Sequence, residues 1–387
     1  MAKINVLHVL STNRFSGAEK VAGQICGNLN RDSFDVRILC NGGELLRKYR
    51  REGLDAFDVN ANRYYPWNVA AFVGIIRNYD VNIVHAHGTR ASLFALVCSA
   101  FARRHYRIVS HIHGCRRWQR NKGMLSRVDR LLAPRYDMNI VCGTGVYDSF
   151  MKEGKRLDAS KVTIVSNALE MECAAGEDDE MECAPERADG PAARERAAAG
   201  DFVYGFVGRF SKPKGLVPFF SKLIENRDVL DGARLVMVGD GTDMKTLRRM
   251  TADSGLTERI VFAGNRDDVP QYLRSFDVLV LPSISEGLPM VVLEAMSEAK
   301  PVLAFDVGSV CEALRSGVNG YLVEAGDYDA FIQQMRRLKD SREELVKLGN
   351  NGRALLASEF GIDKYMGKIE ELYRSLYRDE DLERPPC

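Results

Sequence analysis

Two short stretches in the second half of the chain contain residue types suited to a phosphate group and a polyol. The first is the loop 208–215, which follows an apolar strand-like run and contains Arg209 and Lys214. Backbone amides at a helix N-terminus, together with guanidinium and ammonium groups, suit a diphosphate. A solvated basic turn has the same composition, so this loop alone leaves both interpretations open.

The second stretch, 283–296, places Glu286 just before a helix that Pro289 predicts, and Glu294 eight residues further on. A carboxylate at this position can accept hydrogen bonds from sugar hydroxyls, and the amides of Gly287 and Leu288 can bind phosphate oxygens. The alternative is a glutamate that only interacts with the helix dipole, followed by a second that is merely exposed.

The elements that must position these residues alternate between short β-rich runs and helical patterns, such as Ala91–Arg103, in two series. Such alternation predicts parallel sheets with crossover helices. The fold class is therefore α/β, with two Rossmann-like, doubly wound domains that face a central cleft, and ligands at the carboxyl ends of the strands. The predicted strands are Ile4–Leu10, Phe34–Leu39, Ile83–Ala86, Arg107–Ile112, Asn139–Cys142, Val162–Val165, Tyr204–Gly208, Arg234–Val238, Ile260–Phe262, Val278–Leu281, Val302–Ala304 and Tyr321–Val323.

A change of composition separates the two series. Residues 171–200 are rich in Ala, Glu and Asp, with almost no β-branched residues, which predicts a linker with a mobile acidic insertion. We therefore expect domains at 1–168 and 201–361, joined by 169–200. The C-terminal stretch 362–387 contains an amphipathic helix, roughly Ile362 to Leu376, that is expected to cross back to the first domain.

The bulk composition excludes several classes of protein. A net charge of +1 over 387 residues argues against a general nucleic-acid binder. Nine cysteines without a Cys-x-x-Cys pair indicate reduced thiols and not a zinc site. Because no apolar stretch approaches the ~20 residues that span a bilayer, we expect a cytoplasmic protein, peripheral at most on the inner face of the cell membrane.

An ordered set of motifs resembles the retaining family 4 of the GT-B glycosyltransferases, also called glycosyl transferases group 1. The departures from the family pattern are Ser16 for a glycine, Asn167-Ala168 for Asn-Gly, and Ala299-Lys300-Pro301 for a glycine-containing turn. The matching motifs are Ser16-Gly17-Ala18-Glu19, His85-Ala86-His87-Gly88, His111-Ile112-His113-Gly114, Gly208-Arg209 with Lys214-Gly215, Val238-Gly239-Asp240-Gly241, Phe262-x-Gly264, Glu286-x7-Glu294 and Gly317-x-Asn319-Gly320.

By this resemblance, 201–361 binds a nucleotide-sugar donor. Arg209 and Lys214 would neutralise the departing diphosphate, while Glu286 would hold the transferred sugar. Donor binding would also involve the ribose-binding Glu294, the amides of Gly287 and Leu288, and the base-contacting Asn265 and Arg266.

The resemblance also implies that the domain 1–168 binds the acceptor. In this domain His113 would point from a strand end towards the reacting sugar, and Gly17 would allow close approach to the donor phosphates. The expected reaction retains the anomeric configuration, favours a UDP-sugar, and needs no metal or other cofactor. The expected acceptor is a glycan or lipid-linked saccharide in bacterial surface polysaccharide synthesis, and no nucleic acid is involved.

The segment 103–135 predicts a further partner. It carries ten basic residues against one acid, Asp129, and a helical projection of 116–135 separates an apolar side from a basic side. This pattern is typical of a helix at an anionic membrane surface. The alternative is a helix whose apolar side packs on the first domain.

Three other functions were weighed against this one. A non-enzymatic nucleotide-sugar sensor would show no turnover with any acceptor. A glycoside hydrolase would use Glu286 and Glu294 as an acid–base pair and would release free sugar. A nicotinamide-dependent oxidoreductase is disfavoured, because the fingerprint at 239–244 ends in Met244 and not in glycine or alanine.

Overall fold

The computed structural model describes residues 3–13, 15–114, 124–154, 156–171 and 201–377, without the side chains of 125 and 126. The chain divides into two compact units. Unit 1 contains Met1–Ala168 and Ile362–Cys387, and unit 2 contains Leu169–Gly361. Most of the predicted insertion, 172–200, lies outside the described residues.

Unit 1 is built on a seven-stranded sheet in the order β3-β2-β1-β4-β5-β6-β7. Every pairing in it is parallel. The order reverses between β1 and β4, which makes their carboxyl ends the switch point where ligands bind in such sheets. The strands are β1 Ile4–Leu10, β2 Phe34–Cys40, β3 Ala56–Asp58, β4 Ile83–His87, β5 Arg107–Ile112, β6 Met138–Val141 and β7 Val162–Ile164.

The helices of unit 1 lie between these strands, and one more comes from the end of the chain. The C-terminal helix has the bounds that the sequence predicts, and its residues Tyr365, Met366, Ile369 and Tyr373 are buried. The helices are α1 Gly17–Asn28, α2 Gly43–Arg51, α3 Pro66–Asn78, α4 Thr89–Ser99, α5 Met124–Leu132 and α6 Thr144–Glu153. The C-terminal helix, α14 Ile362–Leu376, follows unit 2 in the sequence but belongs to unit 1.

Unit 2 repeats the plan with a six-stranded sheet in the order β10-β9-β8-β11-β12-β13, again with parallel pairings throughout. Its switch point lies between β8 and β11. The strands are β8 Phe202–Val207, β9 Ala233–Val238, β10 Ile260–Gly264, β11 Val278–Leu281, β12 Val302–Phe305 and β13 Gly320–Val323. The helices are α7 Leu216–Glu225, α8 Met244–Asp253, α9 Val269–Ser275, α10 Met290–Ser297, α11 Val310–Ala313, α12 Tyr328–Lys339 and α13 Arg342–Glu359.

Both sheets bury their central strands on both faces, as parallel sheets covered by helices do. Six of the seven residues of β1 and all four of β11 are buried. This explains why these strands read as nearly continuous apolar runs in the sequence.

Three local expectations differ from the structure. The edge strand β3 was not predicted, because three residues give too short a pattern. Helix α10 begins at Met290, one residue after Pro289. The single helix expected over 116–135 is described only from Met124, as α5 followed by a 3₁₀ turn at Ala133–Arg135. No helix in the described ranges is long and apolar enough to cross a membrane.

Candidate active site

The loop 208–215 of unit 2 lies directly against the end of β11. Gly215 adopts a left-handed conformation with φ +64°, and a Cβ there would come within 2.1 Å of the Pro282 carbonyl oxygen. The amide of Ile284 donates a hydrogen bond of 2.9 Å to the Pro213 carbonyl. Glycine therefore allows two backbone loops to meet closely, and this brings together the two stretches that the sequence singled out.

Lys214 and Glu286 form an ion pair across this junction. The Lys214 Nζ lies 2.6 Å from the Glu286 Oε1, and the two side chains are only 20% and 10% exposed. Partial burial and a short distance make the interaction stronger than that of an exposed pair. The pair places one cation and one carboxylate next to each other at the switch point of the sheet.

The remaining predicted donor residues of unit 2 line the same edge of the sheet. Arg209 follows β8 and is exposed, while Asn265 and Arg266 follow β10, two strands away from β8 on the side opposite β11. Arg266 is held by a bidentate ion pair to Asp268, at 2.9 and 3.0 Å. Three inter-strand spacings, about 14 Å, separate the ends of β10 and β11, so these residues are spread along the edge of the sheet and not gathered at one point.

The residues just before α10 carry the backbone amides that were predicted to bind phosphate oxygens. Gly287 and Leu288 are buried and precede the helix, and Glu294 is partly exposed on its second turn. Ser283, between β11 and Glu286, was not assigned a role from sequence. Its hydroxyl is buried and has no hydrogen-bond partner within the described part of the chain. A buried serine directly after an apolar strand is the signal that could have drawn attention to it.

In unit 1, Gly17 is the first residue of α1, which follows β1. Helix N-termini leave backbone N–H groups for capping or for ligands. The hydroxyl of Ser16, which replaces the usual glycine of the family motif, donates a hydrogen bond to the carboxylate of the buried Glu19. The serine thus contributes to the local structure of this helix start.

His113 belongs to a larger arrangement of imidazoles. It lies just beyond β5, half-buried, and its Nε2 is 3.0 Å from Nδ1 of His87. The hydrogen bonds continue from His87 Nε2 to His8 at 3.0 Å, from His8 to the Tyr373 hydroxyl at 3.2 Å, from that hydroxyl to His85 at 2.5 Å, and from His85 to His111 at 3.1 Å. We call these six residues the histidine chain.

Burial keeps four imidazoles of the histidine chain neutral. Desolvation lowers the pKa of His8 to about 3 and holds the pKa values of His85, His87 and His111 well below the usual 6.5. A neutral imidazole has one N–H and one bare nitrogen. If every bond is made, the protons can therefore follow the chain in only two orders, one running from His113 to His111 and the other in reverse.

The sequence analysis assigned a role to His113 and placed His85, His87 and His111 in family motifs, but it did not single out His8 or Tyr373. Tyr373 is distant in sequence, and its partner His85 lies 288 positions away. The signal that was present is the two-residue spacing of His85 with His87 and of His111 with His113, since residues two apart on a strand share one face.

Comparison with known proteins agrees with this architecture. Residues 15–172 match the model described as Glycosyltransferase Family 4, and residues 192–355 match Glycosyl transferases group 1. The chain superposes on Anabaena HepE in complex with UDP-glucose with a TM-score of 0.81, at 21% identity over 96% of this chain and 100% of that one. It superposes on the lipopolysaccharide outer core galactosyltransferase WaaB with a TM-score of 0.68, at 18% identity over 96% and 99% of the two chains.

Similar curated proteins act on several saccharides. An Escherichia coli UDP-Gal:alpha-D-GlcNAc-diphosphoundecaprenol alpha-1,3-galactosyltransferase is 24% identical over 96% of this chain and 97% of its own length. The lipopolysaccharide core biosynthesis mannosyltransferase LpsB of Rhizobium meliloti (strain 1021) is 33% identical over 45% of this chain and 52% of its own. This chain belongs to the GT-B glycosyltransferases of family 4, glycosyl transferases group 1, and its two units have the GT-B fold.

Proposed function

We propose that this glycosyltransferase moves a hexosyl group from a nucleotide-sugar, preferably a UDP-sugar, to a glycan or lipid-linked acceptor with retention of configuration. The observation that carries the proposal is the Lys214–Glu286 ion pair at the switch point of unit 2. A cation that faces a departing diphosphate and a carboxylate that holds the sugar are needed at neighbouring positions in such a reaction.

The proposed roles follow the edge of the sheet. Asn265 and Arg266 contact the base beyond β10, and Glu294 holds the ribose. Arg209 and Lys214 stabilise the diphosphate together with the amides of Gly287 and Leu288, and Glu286 holds the transferred sugar. In unit 1, Gly17 contributes an amide to the phosphates and His113 contacts the reacting sugar.

No metal ion is needed in this proposal. Two cationic side chains and the N-terminus of α10 supply positive charge where negative charge develops on the leaving group, which is how preorganised sites lower a barrier. Retention is what the family assignment favours, because the recognised motif set is that of the retaining branch.

The names of the relatives support the donor and the acceptor class. The Escherichia coli relative uses UDP-Gal and a diphosphoundecaprenol-linked sugar, and HepE binds UDP-glucose. We therefore place this chain in bacterial surface glycan synthesis, on the cytoplasmic side of the membrane, with a lipid-linked saccharide as the first acceptor to test.

A thermal-shift titration tests the donor directly, because a ligand that binds only the folded protein raises its Tm. We expect UDP and UDP-hexoses to raise the Tm, and Arg209→Ala to reduce the shift while Lys212→Ala, in the same loop, does not. If UDP, GDP, ADP and dTDP and their sugars all leave the Tm unchanged, the proposal is wrong. A Tm shift without transfer to any acceptor would instead indicate a sensor, and release of free sugar a hydrolase.

A further inference from the structure

Five of the six histidines of this protein lie on one face of the unit 1 sheet. His85 and His87 are two apart in β4, and His111 and His113 are two apart at the end of β5. In the parallel register His8 lies opposite His85, and His87 opposite His111. Burying so many polar rings together is costly unless each nitrogen has a partner.

Three of these rings are arranged as a set of ligands. His87, His111 and His113 each offer a nitrogen within 4.8 Å of the other two. A tetrahedral zinc ion with Zn–N bonds of about 2.0–2.1 Å holds its ligand nitrogens about 3.3 Å apart. The ligand nitrogens therefore need to approach one another by at most about 1.5 Å, which side-chain rotation can supply at the end of a strand.

His111 shows an unused coordination position. Its Nε2 is buried and has no hydrogen-bond partner within the described residues. Its other nitrogen, Nδ1, is bonded to His85, which is bonded in turn to the Tyr373 hydroxyl. A metal-binding histidine almost always has its second nitrogen fixed in this way by an outer hydrogen-bond partner.

One of the two proton orders of the histidine chain leaves His111 ready to bind a metal. When His111 carries its hydrogen on Nδ1 and donates it to His85, Nε2 presents a bare lone pair. In that order His87 still donates a hydrogen to His113, so metal binding must replace this hydrogen bond and shift the His87 hydrogen to its other nitrogen. Burial keeps His87 and His111 neutral, as metal ligands must be. The half-buried His113 gives access from the surface, whereas all members of the other close set, His8, His85 and His87, are fully buried.

We propose that His87, His111 and His113 bind a transition-metal cation of the zinc class, such as Zn²⁺, Co²⁺ or Ni²⁺. Three imidazoles without a carboxylate favour these ions over Mg²⁺ and Ca²⁺, which prefer oxygen ligands. The site is not the donor-phosphate metal site of metal-dependent transferases, since it lies in unit 1 and contains no acidic ligand.

The functional consequence rests on the proposed function, although the binding does not. His113 is the residue that we assign to the reacting sugar. A cation coordinated by its imidazole withdraws that ring from the sugar, so occupancy inhibits transfer and a chelator leaves transfer intact. The ion acts as an inhibitor and takes part in no chemical step.

The test is a Co²⁺ titration of the full-length, tag-free chain after removal of metal by a chelator and desalting. A three-histidine site is expected to give the visible absorption of four-coordinate Co²⁺, to saturate at one ion per chain, to lose the signal on addition of Zn²⁺, and to keep it in excess Mg²⁺. H113Q and H111Q should each weaken Co²⁺ binding at least about 100-fold, more than loss of an outer-shell partner would. H105Q, which alters the sixth histidine, is the matched control and should leave binding unchanged.

Two further variants distinguish this site from its neighbour. Tyr373→Phe removes an outer hydrogen bond and should weaken binding about 10-fold. H8Q should leave one tight site per chain. Absence of Co²⁺ binding in the wild type, retention of binding in both folded H113Q and H111Q, or loss in H8Q with retention in H113Q would each overturn the proposal. H113Q is the primary variant because His113 lies at the strand end, where substitution least disturbs the core.

The activity assay separates the two proposals. Inhibition of the wild type by Zn²⁺ together with Co²⁺ binding at the three histidines supports both. Metal binding without inhibition contradicts the role of His113 in transfer and leaves the metal site standing. Full transfer by a protein that binds no Co²⁺ overturns the metal site alone.

Discussion

Lys214 and Glu286 are 72 positions apart, yet their charged atoms lie 2.6 Å apart. The contact depends on β8 and β11 being neighbours in the sheet and on Gly215 letting the two loops meet. The partial burial of both side chains keeps this pair away from bulk water, so a change at either residue alters the charge balance of the whole junction.

Arg209 and Lys214 should each be needed for transfer, whereas the net positive charge of the loop 208–215 should not by itself be enough. Arg209→Ala and Lys214→Ala are each expected to lower kcat by on the order of 10²–10³-fold, as loss of one main electrostatic stabiliser does. Lys212→Ala removes the same charge from an exposed position in the loop and should have little effect. Steady-state kinetics of the three variants make the comparison. Near wild-type rates for Arg209→Ala and Lys214→Ala would remove both residues from the site.

Glu286→Gln should lower the rate of transfer without weakening the binding of the nucleotide. The substitution keeps the size of the side chain but removes the carboxylate that pairs with Lys214, so the ammonium is freed for the diphosphate. We expect UDP to bind as tightly as in the wild type or more tightly, while kcat falls. Calorimetric UDP titration and initial rates measure the two effects. Weaker UDP binding in this variant would place Glu286 on the nucleotide.

Glu294→Ala, in contrast, should weaken the binding of the nucleotide. This residue lies one turn along α10 and is assigned to the ribose, so its loss should raise the Kd for UDP as well as lower the rate. The same titration and rate assay apply. Unchanged UDP affinity in a folded Glu294→Ala protein would show that the helix contributes only its N-terminus to the donor site.

At the scale of elements, the period of the hydrophobic pattern predicted long buried strands and amphipathic helices well. The bounds of β1, β5, β11 and α14 are the predicted ones. The pattern failed where an element is short or ends for a local reason. The helix predicted to run to Arg103 ends at Ser99, and Arg103 itself has a positive φ of 51° that no helical residue adopts.

Helix α5 presents apolar side chains to solvent. Met124 is 82% exposed, Leu131 63% and Val128 38%, and these positions, four and three apart, share one face of the helix. Asp129 is buried on the other side, where it accepts a hydrogen bond of 3.0 Å from the Tyr136 hydroxyl. Among the described residues of unit 1, none buries these side chains, and the membrane interpretation of the segment 103–135 stays a prediction. The basic residues Arg116, Arg117 and Arg120 lie outside the described residues.

Liposome flotation should reveal this interaction. We expect the protein to float with vesicles that contain anionic lipid, to dissociate as salt rises, and to lose binding when Arg116, Arg117 and Arg120 are changed to Glu. Met124→Ser with Leu131→Ser tests the apolar face separately and should weaken binding at low salt. Equal binding to neutral and anionic vesicles, or none to either, would assign the segment to the protein's own surface.

For the whole molecule, the sequence predicted two α/β domains because the strand–helix alternation stops and restarts around a segment that cannot form a core. It could not give the strand orders, which depend on non-local pairing. In both sheets the order of the strands reverses next to the first strand, which is β1 in unit 1 and β8 in unit 2. Lys214 and Glu286 could each be predicted from the loop that follows a strand, but their pairing depends on β8 and β11 being neighbours. The edge where ligands bind was therefore known in principle from the fold class, and the particular side chains that share it were known only from the structure.

The transfer reaction is predicted to need no metal ion. Because Arg209, Lys214 and the α10 N-terminus meet the charge of the diphosphate, transfer should proceed at an unchanged rate in excess EDTA. The assay compares initial rates with EDTA, with added Mg²⁺ and with added Mn²⁺. Loss of activity in EDTA that Mg²⁺ or Mn²⁺ restores would contradict the metal-free mechanism.

The anomeric configuration of the first product tests the central claim most directly. The protein is incubated with UDP-α-galactose or UDP-α-glucose and a short-chain lipid diphosphate-linked acceptor sugar, and the product is read by ¹H NMR before any other enzyme can act on it. Retaining transfer predicts an α-linked product whose anomeric coupling matches that of the donor. A β-linked product would contradict retention and the assignment of Glu286, His113 and the paired cations to a retaining site.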